Sequence, residues 1–245
     1  MALHTLSEAA MQPRIAFHKR TAMTQFGARR FPSSQQAQAQ HLEQLRQIPV
    51  ALLSDNIHRG TGSVGLHPYH KPSKAIMAGT AVTVRCRGGD NLVVLRAFDY
   101  CRPGDVLVID AGGDLTNAVL GGIMSAGGAM LGLAGIVVDG AIRDAAEIGE
   151  RDFPLYARGV SHRGPYKNGP GEINVPVQVG GMVVQPGDVI VGDRDGLLAF
   201  PAADAAVVIE KALAQQKKED LQMEEIRNGR WDRSFLEALE AKAIN

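Results

Sequence analysis

At 245 residues, 45% hydrophobic and 21% charged, the chain can bury a substantial core in one large domain or two small ones. Its 26 basic and 26 acidic residues cancel, which argues against a surface built for nucleic acid, and no apolar run is long enough to span a membrane. The two cysteines, Cys86 and Cys101, lack metal-ligand spacing and cannot make a disulfide framework, so a reducing, cytoplasmic setting is expected.

Residues 1–40 carry five Arg or Lys against a single acid, Glu8, and contain no apolar h-region. An N-terminal arm, free or packed on a neighbouring subunit, is expected there rather than a secretory signal or transit peptide. The main domain is expected over 41–229 and a helical tail over 230–245. "QAQHLEQLRQ" (38–47) and "IPVALLSDNI" (48–57, entered through Pro49) read as helices. The Gly/Pro/His-rich stretch 58–74 reads as loop, and the alternating, β-branched 75–86 as strand. "NLVVLRAFDYC" (91–101) has helical spacing, and "RPGDVLVID" (102–110) is a turn feeding a buried strand. A helix rich in small residues follows from Gly121, stable only if it packs closely. Then come a strand at 135–138, a short helix from 142 and a strand near 153–158. A long loop and three or four strands over 173–201 precede a helix at 202–226, which ends before Gly229. "PGDVLVID" (103–110) and "PGDVIVGD" (186–193) share one pattern, a type II turn leading into a strand.

Two apparent motifs fail on context. Gly60, Gly62 and Gly65 spell a dinucleotide fingerprint, but it follows a helix and runs into "LHPYHKP", where the fingerprint needs a strand before it and a helix after it. His67 and His70 lack a third ligand nearby.

The informative stretch is "GIVVDGAIRDAAEIGE" (135–150), where Arg143 and Asp144 stand side by side as a core strand gives way to a helix. One reading is a surface ladder of Asp139, Arg143 and Glu147 at i, i+4, i+8. It leaves Asp144 as no more than a favourable first-turn acid. The other draws on the preceding glycines. A helix beginning near Gly121 offers the N–H groups of Gly121, Gly122, Ile123 and Met124 to an anion. Arg143 can grip a carboxylate there from the opposite side. Asp144 can hold a hard cation that keeps its waters and takes further ligands from a 2-oxo acid. In this reading the two side chains diverge, Arg143 toward the substrate and Asp144 toward the metal.

"DAGGDLTNAVLGGIMSAGGAMLGLAGIVVDGAIRDAAEI", with "GPGEINVPVQVGGMVVQPGDVIVGDRDGLLAFP" after it, resembles the RraA-like proteins over about residues 45–229. That family includes class II 4-hydroxy-4-methyl-2-oxoglutarate/4-carboxy-4-hydroxy-2-oxoadipate aldolases and regulators of ribonuclease E. The resemblance implies an α/β, three-layer β/β/α swivelling-type domain, assembled as homotrimers or homohexamers with sites between subunits. It implies that the 121–124 amides and Arg143 bind a small 2-oxo acid, and that Asp144 holds Mg²⁺ or Mn²⁺. The expected activity is aldol cleavage or oxaloacetate decarboxylation through a pyruvate enolate. The regulators tend to lack the metal-binding Asp, so Asp144 favours the enzymes. A C-terminal helix acid of the family is similar to Glu219 and can reach a neighbouring protomer's site. The sequence departs from the aldolases at Gly122, where an acid that positions a catalytic water is common. That departure keeps a non-catalytic ribonuclease regulator, a protein-binding module, as the alternative. A related lyase or hydratase acting on a sugar acid also fits.

Overall fold

The computed structural model describes residues 22–57, 59–72 and 75–243. Two short helices, α1 (Ala39–Leu45) and α2 (Val50–Asp55), lead to β1 (His67–Pro68) and the ten-residue β2 (Met77–Cys86). Next come α3 (Leu92–Ala97), β3 (Asp105–Asp110), β4 (Ala118–Leu120), α4 (Gly122–Met130), β5 (Gly135–Ile142), α5 (Ala145–Gly149) and β6 (Leu155–Val160). Five short strands follow: β7 (Gly171–Ile173), β8 (Val177–Val179), β9 (Met182–Val184), β10 (Val189–Gly192) and β11 (Leu197–Phe200). The long α6 (Ala205–Arg227) and then α7 (Phe235–Ala243) close the chain.

The main sheet has the order β1-β6-β5-β3-β2-β10-β11, with β4 joined to β5 and β7 to β2. Strands β2, β3, β5 and β6 are parallel, and β10 and β11 extend the sheet antiparallel. A parallel sheet needs cover on both faces, and the period-two alternation of its strands supplies two apolar surfaces. On one face Val82, Val84, Leu107, Ile109, Ile136 and Val138 pack with residues of α3 and α4. On the other, Ala81, Val106, Val108, Val137 and Tyr156 pack under the β8–β9 hairpin, through Val177, Val179, Met182 and Val184. A third cluster seats α1, α2 and the first turns of α6 on Ala78, Val189, Val191, Leu198 and Phe200. The result is the expected three-layer α/β domain, with the hairpin as outer β layer.

The repeated turn sequence has a structural counterpart. Gly104 and Gly187 both adopt positive φ, at 84° and 94°, the conformation a type II turn requires of its third residue. In each turn the following Asp accepts a hydrogen bond from the backbone three residues back, Arg102 N–H to Asp105 and Gln185 N–H to Asp188, both at 2.8 Å. The strands they launch, β3 and β10, flank β2 on its two sides.

Several expectations shift. Residues 171–200 form five strands, not three or four, because tight turns divide the segment. The loop expected at 58–74 contains β1, which pairs with β6 through His67 and Pro68. His70 is buried with Nδ1 3.2 Å from the Leu155 carbonyl, so its role is in packing; burial also lowers its pKa. Strand β5 runs on to Ile142, so the helix expected from 142 begins only at Ala145. The first 21 residues of the expected arm lie outside the described residues. The rest of it, 22–38, is bonded to the chain's own body: Phe31 N–H donates to the Ile173 carbonyl, and Ser33 and Ser34 donate to the Tyr100 and Pro186 carbonyls. Beyond Gln216 the long α6 leaves the body, and residues 217–237 are exposed throughout.

Arg29 anchors that N-terminal segment. It pairs with the buried Glu172, Nε to Oε1 at 2.5 Å, and Glu172 also receives Gly27 N–H and Arg85. The Arg29 hydrogen bond, helped by Gly27 and Arg85, outweighs burial and holds the Glu172 carboxyl below its ordinary 4.5. Glu172→Gln should therefore destabilise the fold by about 2 kcal/mol at neutral pH. Because the folded-state pKa is depressed, this contribution is present above the ordinary glutamate value and vanishes as pH falls through the lower one. Urea melts of both proteins should converge on acidification. A gap that persists in acid would place the effect elsewhere.

Candidate active site

Helix α4 starts immediately after β4, and its first N–H groups face the end of β5. Gly121 caps it with extended backbone, φ −148°, a conformation open to any residue, so the demand for glycine here is one of space. A Cβ on Gly121 would lie 2.6 Å from Asp144 Oδ2 and 3.0 Å from Arg143 Cγ. Asp144 itself sits in the left-handed region at φ 59°, which Asp tolerates better than most residues. That reversal ends β5, starts α5 and turns the carboxylate back onto α4, where Oδ2 accepts Gly122 N–H at 2.9 Å. A carboxylate at a helix N-terminus satisfies an otherwise unpaired donor and complements the helix dipole.

Arg143 is fixed through its backbone, its N–H donating to the Leu120 carbonyl at 3.0 Å. Its Nε stands 3.7 Å from Asp144 Oδ2. The two side chains therefore meet over Gly121 instead of diverging. The ladder of Asp139, Arg143 and Glu147 does not form, because residues 139–142 are strand. Asp139 pairs with Arg158, Nε to Oδ1 at 2.5 Å, and Glu147 pairs with Arg151.

Gly121, Ile123, Met124, Arg143 and Asp144 line one cavity, with Asn91 and Pro165 opposite. Gly122 adjoins it and sends its N–H to Asp144, whereas the N–H groups of Ile123 and Met124 have no partner among the described residues. The far side of the Arg143–Asp144 pair faces a second cleft with Val160, Ser161 and His162. Both clefts are thus bounded by the loop "SHRGPYKNGP" (161–170). Glu219 is not in the cavity of its own protomer. It lies on α6 and accepts a hydrogen bond from Gln215 Nε2 at 2.7 Å, beside α2.

Two features are not apparent in the sequence. Asn91 stands at the start of α3, where an Asn reads simply as a helix cap. Glu147 carries its carboxylate into the space in front of Gly122, its Oε2 2.6 Å from where a Cβ would stand. The glycine at 122 is thus matched by an acid arriving from α5.

No group of three or more His, Cys, Asp or Glu side chains converges among the described residues. The donor set suits a hard cation that keeps most of its waters. Asp144 offers one exposed carboxylate beside the cavity, and 2-oxo acid oxygens can complete the shell.

A covered parallel sheet, a glycine-capped helix and an Arg–Asp pair at the end of a strand define an α/β domain with a cleft at the carboxyl end of its parallel strands. The chain belongs to the RraA-like family, described as Aldolase/RraA, whose profile matches residues 50–199. A Halalkalibacterium halodurans protein provisionally named 4-hydroxy-4-methyl-2-oxoglutarate aldolase is 39% identical over 186 residues, 76% of this chain and 88% of its own length. The 4-hydroxy-4-methyl-2-oxoglutarate aldolase of Thermus thermophilus is 37% identical over 134 residues, 55% of this chain and 81% of its own. Among solved structures, Streptomyces coelicolor RraAS2, an unusual member of the RNase ES inhibitor RraA family, superposes with TM-score 0.71 at 25% identity. It covers 78% of this chain and 98% of its own. An uncharacterised Pseudomonas syringae protein superposes with TM-score 0.72 at 27% identity, covering 82% and 94%. The aldolase relatives place the chain on the enzymatic side of the family.

The spacing around the two glycines separates their roles. Gly122→Ala meets the flexible end of Glu147, which can swing away, so it should leave the melting temperature nearly unchanged. Gly121→Ala meets the short Asp144 side chain and should break its bond to Gly122, costing about 1–3 kcal/mol. Thermal melts of the two variants check this; equal losses would contradict it.

Proposed function

We propose that the protein is a divalent-metal-dependent carbon–carbon lyase acting on a small 2-oxo acid, of the 4-hydroxy-4-methyl-2-oxoglutarate aldolase and oxaloacetate decarboxylase type. The observation that carries this reading is the convergence of Arg143, Asp144 and the α4 N-terminus on one cavity. The free N–H groups of Ile123 and Met124 bind the substrate carboxylate, and Arg143 holds the adjoining keto oxygen. Asp144 would hold Mg²⁺ or Mn²⁺, largely through water, and the ion when bound would supply Lewis acidity for the 2-oxo group.

In the aldol substrate the bond between C3 and C4 breaks. Its electron pair passes to the 2-oxo group as a pyruvate enolate, and the C4 hydroxyl loses its proton and becomes a carbonyl. The enolate then takes a proton at C3. With oxaloacetate the same bond breaks, carbon dioxide leaves and the same enolate forms. Arg143 favours both reactions because its charge stands where negative charge develops. The aldolases commonly give the positioning of water for the proton transfers to an acid at residue 122; here Glu147, paired with Arg151 in front of Gly122, would take that task.

The homo-oligomer, trimer or hexamer, is part of this proposal. Ile123, 87% exposed beside the cavity, and Leu221, Met223, Ile226 and Trp231 on the outstretched C-terminal segment form apolar surface suited to another copy. Such packing could bring Glu219 to a neighbour's site. A non-catalytic ribonuclease regulator is the competing reading, favoured by the glycine at 122.

Pyruvate release from oxaloacetate, measured in Mg²⁺ and in excess EDTA, distinguishes the two. Chelator-sensitive turnover above that of free Mg²⁺ is expected. Asp144→Ala should abolish it with the assembly intact, and Arg143→Lys should lower kcat/KM by about a hundredfold. Turnover that survives chelation or Asp144→Ala would overturn the lyase reading.

A further inference from the structure

The loop 161–170, "SHRGPYKNGP", carries basic side chains and no acid. It bounds the cavity through Pro165, and the cleft behind the Arg143–Asp144 pair through Ser161 and His162. Its backbone is held along its length. Ser161 N–H donates to the Ile142 carbonyl at 2.9 Å, the Arg163 carbonyl accepts Ala118 N–H at 2.9 Å, and Asn117 Nδ2 donates to the Gly164 carbonyl at 2.7 Å. Further on, Tyr166 N–H donates to the Gly89 carbonyl at 2.8 Å, and Asp90 Oδ2 accepts Asn168 N–H at 2.7 Å and Gly169 N–H at 3.0 Å. None of these bonds uses the side chain of Arg163 or Lys167, so the loop keeps its shape without them.

Both side chains are exposed, and no carboxylate pairs with either among the described residues. By contrast Arg46 stands against Glu43, Arg59 against Asp55 and Arg96 against Asp99. In a chain whose formal charges cancel, two unpaired cations on one anchored loop are a local excess. The acid beneath the loop, Asp90, is buried and given to backbone amides, with the charge of Arg87 nearby to offset it. The excess lies at the cavity mouth. A Cβ on Gly164 would stand 3.0 Å from Arg143 Nη1. Arg163 is therefore one residue, about 3.8 Å of chain, from backbone that touches the guanidinium. Lys167 follows two residues after Pro165.

The cavity wall offers little attraction at a distance. Arg143 Nε and Asp144 Oδ2 are 3.7 Å apart, and the fields of opposite charges so close largely cancel further out. Arg151 offsets Glu147 in the same way. Long-range pull on an anion must come from unpaired charge within a Debye length, about 8 Å at physiological ionic strength and about 30 Å at 0.01 M. We infer that Arg163 and Lys167 form an electrostatic collector for the cavity. They draw small, multiply charged anions to its mouth without touching the bound molecule, so capture depends on residues outside the binding set. The identity of the anion rests on the lyase reading above; the capture itself does not.

The test neutralises both charges, Arg163→Gln with Lys167→Gln. Oxaloacetate turnover is measured at a fixed low Mg²⁺ concentration over ionic strengths from about 0.01 to 0.3 M. At the low end kcat/KM should fall about tenfold below wild type with kcat unchanged, and the two proteins should converge as salt rises. Lys211→Gln, at an exposed position on α6, removes a positive charge elsewhere and should behave as wild type. Oxalate, an unreactive dianion, titrated by calorimetry into chelator-treated protein, gives the same comparison without turnover. Its affinity should weaken in the double variant by a similar factor, and only at low salt. Identical salt dependence in variant and wild type with both probes would overturn the inference. So would a fall in kcat, which would place these side chains at the reacting atoms, or a changed assembly mass by light scattering, which would assign them to a subunit contact. Salt-sensitive oxalate binding that the variant loses, with oxaloacetate turned over by no protein, would remove the lyase reading and leave the collector standing.

Discussion

The contact on which the site depends is the hydrogen bond from Gly122 N–H to Asp144 Oδ2. It crosses from the first turn of α4 to the residue that ends β5, and so ties the helix N-terminus to the strand that delivers Arg143. Three local conditions make it possible. Asp144 adopts left-handed backbone, Gly121 leaves room for its carboxylate, and Arg143 is pinned to Leu120. Each is unfavourable or neutral alone, and together they produce one geometry. Strain of this kind persists only in a rigid frame, which the surrounding parallel strands supply.

That frame centres on β2, buried along its length except at Arg85 and bonded to β3 on one side and β10 on the other. Both neighbours begin with the same turn, so the sheet is started twice by one device. The apolar alternation that makes this sheet is also what places α4 on one face and the β8–β9 hairpin on the other. The cavity lies at the carboxyl end of the parallel strands, where backbone groups leave the ladder and loops diverge.

Much of this was legible in the sequence because the signals were local. Alternation marked β2, Pro-Gly-Asp marked two turns, and glycines ahead of an apolar run marked α4. Arg143 and Asp144 stood out because a surface ladder left Asp144 without a role. What escaped was information carried by partners distant in sequence. Strand β5 continues to Ile142 because β4 and β6 pair with its far end, which nothing in "VDGAI" announces. The ladder failed for that reason, since helical spacing was assumed for residues in a strand. Residues 22–38 looked like an arm because their anchors, Glu172 and Tyr100, lie far along the chain. Asn91 and Glu147 were unreadable for the same cause: an N-cap residue and a helix-surface acid take on significance only once α4 is set beside them.

The cysteines bear on a different matter. Both are buried and outside any disulfide, and burial, more than the nearby Asp110 and Asp90, pushes the Cys86 thiol up to about 12. Since the thiolate is the species that reacts with oxidants, alkylating agents and disulfides, this thiol is inert at neutral pH. Its presence therefore reflects packing, where Cys behaves as a small apolar side chain, and not the redox character of its surroundings. Cysteine content is a weak guide to compartment for such a chain, and a buried thiol of this kind would persist unchanged through oxidative conditions that modify exposed ones.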